Sequence, residues 1–267
     1  ITPYADAAVR ALIPTRTTFP GEADPMVPSD AAVAHYRAGL AGHGLELISM
    51  QSLLFGVSGA QLFGTAQELG ALETGLGRAI ALAGRLGIPN LVFGSPGNRA
   101  YGPDYTPDSA RARAIAVLHR LGDKALAHGC RLAIEPNPAS YGTNFLTTLA
   151  EAAAFVAAAD HPGLTLNLDL GAAAMNGEEA TVAGVHAALG DKVSHVHISE
   201  PELAPAPAAV APLAATATRL LAQGYRGWFS IEMRRPADAD PLDLFELCLA
   251  RAAAARAQAL VAGGADA

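Results

Sequence analysis

Four short runs of the chain finish on side chains that bind cations or carry protons. RLAIEP sets Glu135 after three apolar residues and before a proline. LTLNLDL carries Asp169, VSHVHIS carries His195 and His197, and GWFSIEM carries Glu232. A carboxylate in an apolar run is costly to bury unless it is paired or bound to a cation. Three of them at successive run ends, with a histidine between, point to a shared divalent ion; an unligated polar network is the competing reading. Two glutamates, an aspartate and a histidine form an oxygen-rich set, suited to Mn²⁺, Mg²⁺ or Co²⁺, with Zn²⁺ also within reach of such ligands. Side chains alternate between faces along a strand, so His195 and His197 share one. His197, nearer the run end, is the ligand candidate, and His195 lies one layer deeper as a supporting partner.

The elements that must position these residues are legible from periodicity. β-rich runs at 45–51, 90–95, 131–136, 164–170, 193–199 and 227–233 alternate with alanine- and leucine-rich stretches at 73–87, 109–129, 148–159 and 212–224. The latter place apolar residues at helical spacing, and Gly87, Gly129 and Gly224 stand where helices commonly stop. Strand alternating with helix implies parallel strands and right-handed crossovers. Six such units in 267 residues predict a (β/α)8 TIM barrel forming a single domain over residues 1–267. The rival, a doubly wound open sheet, is weakened because no glycine-rich phosphate fingerprint follows an early strand. Two strands are missing from the count. One is expected at Val9–Thr15, and the other has no clear counterpart, so the N-terminal strand region is read as divergent or incomplete. Phe19–Ser29 reads as a loop, and Val261–Ala267 as a frayed end. In a parallel barrel the active face lies at the C-terminal ends of the strands, and the four candidates stand there.

Composition narrows the function classes. The chain is 51% hydrophobic and 16% charged, enough for a substantial core. A net charge of −7 opposes a nucleic-acid partner. Cys130 and Cys248 are far apart and read as reduced thiols. No apolar run reaches the length of a membrane span, and the opening ITPYADAAVR lacks signal-peptide character. The expectation is a soluble, cytoplasmic protein with no membrane partner. His35, His43, His119, His128, His161 and His186 are read as surface residues, and Trp228 and Phe229 as packing residues.

The segments AIEPNPASYGTNF, LNLDLGAAAMNGE, SHVHISEPEL and GYRGWFSIEM, in this order, resemble the xylose isomerase-like sugar phosphate isomerase/epimerase superfamily, with the tagatose 3-epimerase group as its best understood branch. MQSLLFG and LVFGSPGNR look like segments of one branch, and the resemblance runs from about Leu45 to the end. It implies a xylose isomerase-like (β/α)8 barrel with one divalent metal held by Glu135, Asp169, His197 and Glu232. It also implies that Glu135 and Glu232 are catalytic, exchanging protons with a carbohydrate substrate through a metal-stabilised enediolate. Ala172, Leu203 and Tyr141 stand where the epimerase group carries a histidine, an arginine and a second glutamate, which separates this chain from a simple free-ketose 3-epimerase. A dehydratase acting on an inosose or a dehydroshikimate-like polyol is the alternative, since it would begin with the same proton abstraction.

The substrate-binding candidates are Asn137, Tyr141, Asn144 and Gln51, with Arg99 and Arg234 as forks for a phosphate if the sugar carries one. Asn137 shares the parity of Glu135 and is placed to orient it or to bind a hydroxyl. Glu200, close behind His197, is expected to support the metal ligands. The 201–212 loop reads as a lid or a linker. A homodimer or homotetramer is expected.

Overall fold

The structure, a computed structural model, describes residue 19 and residues 21–262. The strand expected at Val9–Thr15 and residues 263–267 of the tail lie outside the described residues. Within them, six parallel strands run in sequence order through one curled sheet: β1 (Ser49–Met50), β2 (Asn90–Phe93), β3 (Arg131–Ile134), β4 (Leu164–Asp169), β5 (Val193–Ile198) and β6 (Trp228–Ile231). Eight α-helices accompany them: α1 (Asp30–Gly42), α2 (Ala66–Leu86), α3 (Pro107–Ala127), α4 (Leu149–Ala159), α5 (Leu170–Met175), α6 (Val182–Leu189), α7 (Val210–Ala222) and α8 (Pro241–Ala262). This is the arrangement of a parallel (β/α) barrel, incomplete over the described residues. β1 is shorter than the run at 45–51 suggests, and among the described residues it pairs with β2 through Ser49↔Asn90 and Met50↔Leu91.

The strands read as apolar runs because helices cover their outer face while the barrel interior buries the other. Leu91, Phe93, Leu132, Ile134, Leu166, Leu168 and Val196 join α2, α3 and α4 in one core through Leu76, Ile80, Leu118, Leu121 and Phe155. Each such side chain contributes about 1.5–3 kcal/mol by leaving water. Helix starts are set by local chemistry. Thr65 and Glu68 form a capping box on α2, while Thr106 with Pro107 opens α3. Gly87 ends α2 in the left-handed region, at φ 74°.

Residues on the other strand parity point to the barrel axis, and they are mostly polar. At the N-terminal strand ends, Asn90 donates to Ser49 Oγ (3.1 Å), Ser194 donates to Asn90 Oδ1 (2.8 Å), and Ser194 Oγ lies 2.7 Å from Thr165 Oγ1. Ser194 reaches the interior because the β4–β5 register shifts between Leu166 and Asn167.

Three expectations change. His161 and His186 are buried, not at the surface. His161 Nδ1 accepts from Gly163 N at 3.0 Å and its Nε2 faces Asp123 Oδ1 at 3.2 Å, while His186 packs edge-on against Tyr225. Trp228 is 54% exposed at the start of β6. Among the described residues no helix is long and apolar enough to cross a membrane. Cys130 and Cys248 are buried and free, and burial pushes the Cys130 thiol up to about 11, leaving it unreactive.

Candidate metal centre

Register carries the candidate ligands into one row. Asp169 pairs with His197 across β4–β5, and His197 pairs with Ser230 across β5–β6. Glu135 and Glu232 stand one step past the ends of β3 and β6, where their backbone N–H groups still bond to Phe93 O (3.2 Å) and Ile198 O (2.9 Å). One donor atom from each of Glu135, Asp169, His197 and Glu232 lies within 4.8 Å of the others. His197 Nδ1 is central, at 2.9 Å from Glu232 Oε2, 3.0 Å from Glu135 Oε1 and 3.6 Å from Asp169 Oδ2. Close as these oxygens are, Nδ1 makes an aligned hydrogen bond to none of them. A buried nitrogen surrounded by three carboxylates but matched to no single one is the arrangement of ligands that share a cation, so the group fits a divalent ion.

Electrostatics agree. Burial opposes charge on His197, but Glu232, then Asp169 and Glu135, outweigh it and hold the imidazole pKa well above its usual value. Burial would raise Asp169, yet His197, with Ala172 N and Ser199, keeps it below the ordinary carboxylate range. Burial pushes Glu232 up to about 7, with His197 opposing and Glu135 adding to the rise. Three acids and an imidazole crowded together in this way relieve one another fully only around a positive charge.

Each ligand candidate is held from behind. Asp169 divides its oxygens: Oδ1 caps α5 by accepting from Ala172 N (2.5 Å), which leaves Oδ2 facing His197. Asn167 donates Nδ2 to Glu135 Oε1 (2.7 Å), and Asn137 Nδ2 lies 3.4 Å from Glu135 Oε2. Gly94 is the close neighbour of that carboxylate, and a Cβ there would sit 2.5 Å from Glu135 Oε2. His195 lies beneath His197, with Nε2 at 2.9 Å from Ser230 Oγ. Burial, then the charge of His197, lowers it to about 3, so it stays neutral.

A cavity of about 270 Å³ opens above the row, lined by Gln51, Ser95, Asn137, Tyr141, Glu200, Leu203 and both glutamates, among others. It is slightly smaller than most ligand pockets, which run roughly 300–1,000 Å³. The Tyr141 hydroxyl meets the backbone of Glu202 across the mouth, and burial, then the charge of Asp169, raises its pKa. Glu200 Oε1 accepts from Ala208 N (2.7 Å), which ties down the loop after β5; Glu202 and Leu203 there both take positive φ, 58° and 59°. Part of the expected lid is structured, since 201–203 is a 3-10 turn and α7 begins at Val210.

Three other candidates lie elsewhere. Arg99 is 1% exposed and sits under the Glu135 strand end, outside the cavity lining. Asn144 is spent on the backbone of Tyr101, accepting from its N and donating to its O at 2.9 Å each. Arg234 is exposed and also outside the lining.

The family model described as the xylose isomerase-like TIM barrel matches residues 12–258. The chain belongs to that family. Among solved structures, this xylose isomerase-like barrel is similar to the 3-keto-D-glucoside 4-epimerase from E. coli, at 20% identity and TM-score 0.68 over 83% of this chain and 84% of that one. It is similar to a D-psicose 3-epimerase solved in the presence of D-fructose, at 19% identity and TM-score 0.66 over 88% and 85%. It is also similar to the D-allulose 3-epimerase from Methylomonas sp. in complex with D-allulose, at 24% identity and TM-score 0.60 over 89% and 90%. No curated protein sequence matches the chain significantly.

In this family member, sequence reading missed Asn167, Ser199 and Ser230. Asn167 is two residues before Asp169, the same spacing that separates His195 from His197, so strand parity was the signal that could have found it. Ser199 Oγ accepts from Gly171 N (2.8 Å) and supports Asp169, which only the fold reveals.

Proposed function

We propose that the chain is a divalent-metal-dependent isomerase or epimerase acting on an unphosphorylated sugar, with Glu135 and Glu232 as the proton-transferring pair. The observation that carries this is the convergence of four ligand candidates whose two glutamates enter one small cavity from β3 and β6, on either side of the Asp169–His197 row. Glu135, Asp169, His197 and Glu232 would hold an Mn²⁺, Mg²⁺ or Co²⁺ ion, which would supply Lewis-acid polarisation of the sugar carbonyl and a counter-charge for proton loss. One glutamate takes the proton beside that carbonyl and the other returns one, to the opposite face for epimerisation or to the neighbouring carbon for isomerisation. Gln51, Asn137 and Tyr141 supply neutral hydrogen-bonding groups for sugar hydroxyls. An uncharged sugar is favoured because the described lining contains neutral and acidic side chains, with Arg99 and Arg234 outside it. The similar structures named for epimerases of a psicose, an allulose and a keto-glucoside support the reaction class. The buried thiols fit a reducing cytoplasm.

The test is a panel of ketohexoses, 3-keto-glucosides, their phosphates and inososes, incubated in D₂O with the Mn²⁺- or Co²⁺-loaded protein. The expected result is deuterium at one carbon of an unphosphorylated sugar and an isomer of otherwise unchanged mass. Loss of water would favour the dehydratase, and turnover confined to phosphates would overturn the neutral-sugar reading.

A further inference from the structure

Arg99 heads the largest fully buried side chains of the described residues, at 1% exposure. An arginine is rarely wholly buried without full pairing. It follows the 3-10 turn Pro96–Asn98, which begins after Ser95 takes the left-handed region at φ 44° and turns the chain inward. Its Nη2 donates to the backbone O of Glu135 (2.8 Å) and to Asn137 Oδ1 (2.7 Å). With Oδ1 so engaged, Nδ2 is the part of the Asn137 amide left to face Glu135 Oε2, at 3.4 Å. A flipped amide would set its oxygen against the carboxylate and its NH₂ against the guanidinium. The other carboxylate oxygen, Oε1, is held by Asn167. Nε and Nη1 of Arg99 have no acceptor. Burial draws Arg99 down to about 10, against the upward pull of Glu135, so it is charged at neutral pH. A buried charge paired this incompletely is weak evidence of a role in stability.

We propose that Arg99 is a positioning residue: through the strand-end carbonyl and the Asn137 amide it fixes where Glu135 presents its carboxylate to the metal and the substrate. This rests on the reading of Glu135 as metal ligand and proton carrier. A simpler role would be charge balance, since three carboxylates and a divalent ion leave one net negative charge that a guanidinium offsets. The two roles forecast opposite signs for cation binding. Removing a nearby positive charge tightens a cation site, whereas removing a positioner loosens it.

The experiment titrates Mn²⁺ into the metal-stripped full chain, followed by the loss of the free-ion electron paramagnetic resonance signal, with thermal unfolding alongside. R99M is expected to bind Mn²⁺ ~10- to 100-fold more weakly, the range for lost outer-shell partners, while still unfolding cooperatively, at a lowered melting temperature because Glu135 O and Asn137 Oδ1 lose their donor. R99K, whose single ammonium can serve the two acceptors that Nη2 serves, is expected to recover most of that affinity. In an N137A background the R99M loss should shrink, because part of its route is already gone. R99Q, whose head falls short of both acceptors, carries the same forecast should R99M not fold. Unchanged or tighter Mn²⁺ binding in R99M or R99Q overturns the proposal, as does full additivity with N137A. A wild type that takes up no Mn²⁺ sinks the metal reading and this inference together. A wild type that binds while the Arg99 variants match it sinks this inference alone.

Discussion

The two ends of the barrel interior are both polar and both buried, yet they are built on different principles. At the N-terminal strand ends, Ser49, Asn90, Thr165 and Ser194 are neutral and pass hydrogen bonds among themselves at 2.7–3.1 Å. Toward the C-terminal ends, Arg99, Asn167, His195 and His197 each keep a buried nitrogen or oxygen without an aligned partner. Three acids crowd there as well. Buried polar groups in native proteins are overwhelmingly satisfied, so a concentration of exceptions marks where fold stability has been traded for function. The lower network is satisfied among its own members, whereas the upper one leaves polar atoms unmatched around four side chains that could hold a cation.

That contrast can be broken from the top downward. The largest effect is expected at Glu232→Gln, which keeps size and folding but removes one proton carrier. Turnover of the sugar identified by the D₂O screen should fall by at least about 10³-fold, within the reach of lost acid–base catalysis, while the melting temperature holds. Near-normal exchange would remove Glu232 from the mechanism.

Asp169→Ala should come next, and its damage is double. Mn²⁺ affinity should fall by more than about 10-fold with a ligand gone, and the lost cap on α5 should cost ~1 kcal/mol of stability. Calorimetry and denaturant unfolding of the metal-free protein separate the two. In the intact protein, Mn²⁺ at 100 times its dissociation constant should add about 2.7 kcal/mol to unfolding stability, and EDTA should abolish the gain. The carboxylates around His197 hold a proton on it that the ion must displace, so Mn²⁺ affinity should rise with pH. An affinity that falls or stays level as pH rises would place the ion elsewhere.

A moderate effect of the opposite kind is expected below. Asn90→Leu strands Ser49 and Ser194 and should cost about 1–3 kcal/mol in urea unfolding, with Mn²⁺ affinity unchanged. If that substitution loosened the metal as much as it loosened the fold, the two ends would not be separable. The smallest effect belongs to Arg234→Ala. Its exposed position outside the cavity predicts less than about a two-fold change in Michaelis constant, well under 1 kcal/mol, for phosphorylated and neutral sugars alike.

Much of this was readable before any coordinates. The strands show as short β-rich runs whose outward parity is apolar beneath the helices, and the helices show because they are long, apolar at helical spacing and followed by Gly87, Gly129 and Gly224. The four ligand candidates were visible because a parallel barrel gathers its strand ends on one face, and period-two parity selects which residues of a run point inward. What escaped depends on geometry that no periodicity encodes. Arg99 reads as a mouth residue until Ser95 and the Pro96–Asn98 turn send it beneath the strand. Asn144 reads as a sugar contact until its amide is found bridging Tyr101. Ser194 has the wrong parity for the interior until the register shift brings it round.

Gly94 sets a boundary on what can be re-engineered. The space its missing side chain leaves is occupied by Glu135 Oε2 and, 3.2 Å from an added Cβ, by Asn137 Oδ1. Under the proposed function, saturation libraries therefore have nothing to gain at position 94, where even the Cβ of alanine collides with the Glu135 carboxylate. Diversity belongs at Gln51, Ser95 and Leu203, which line the cavity without belonging to the four clustered ligand candidates.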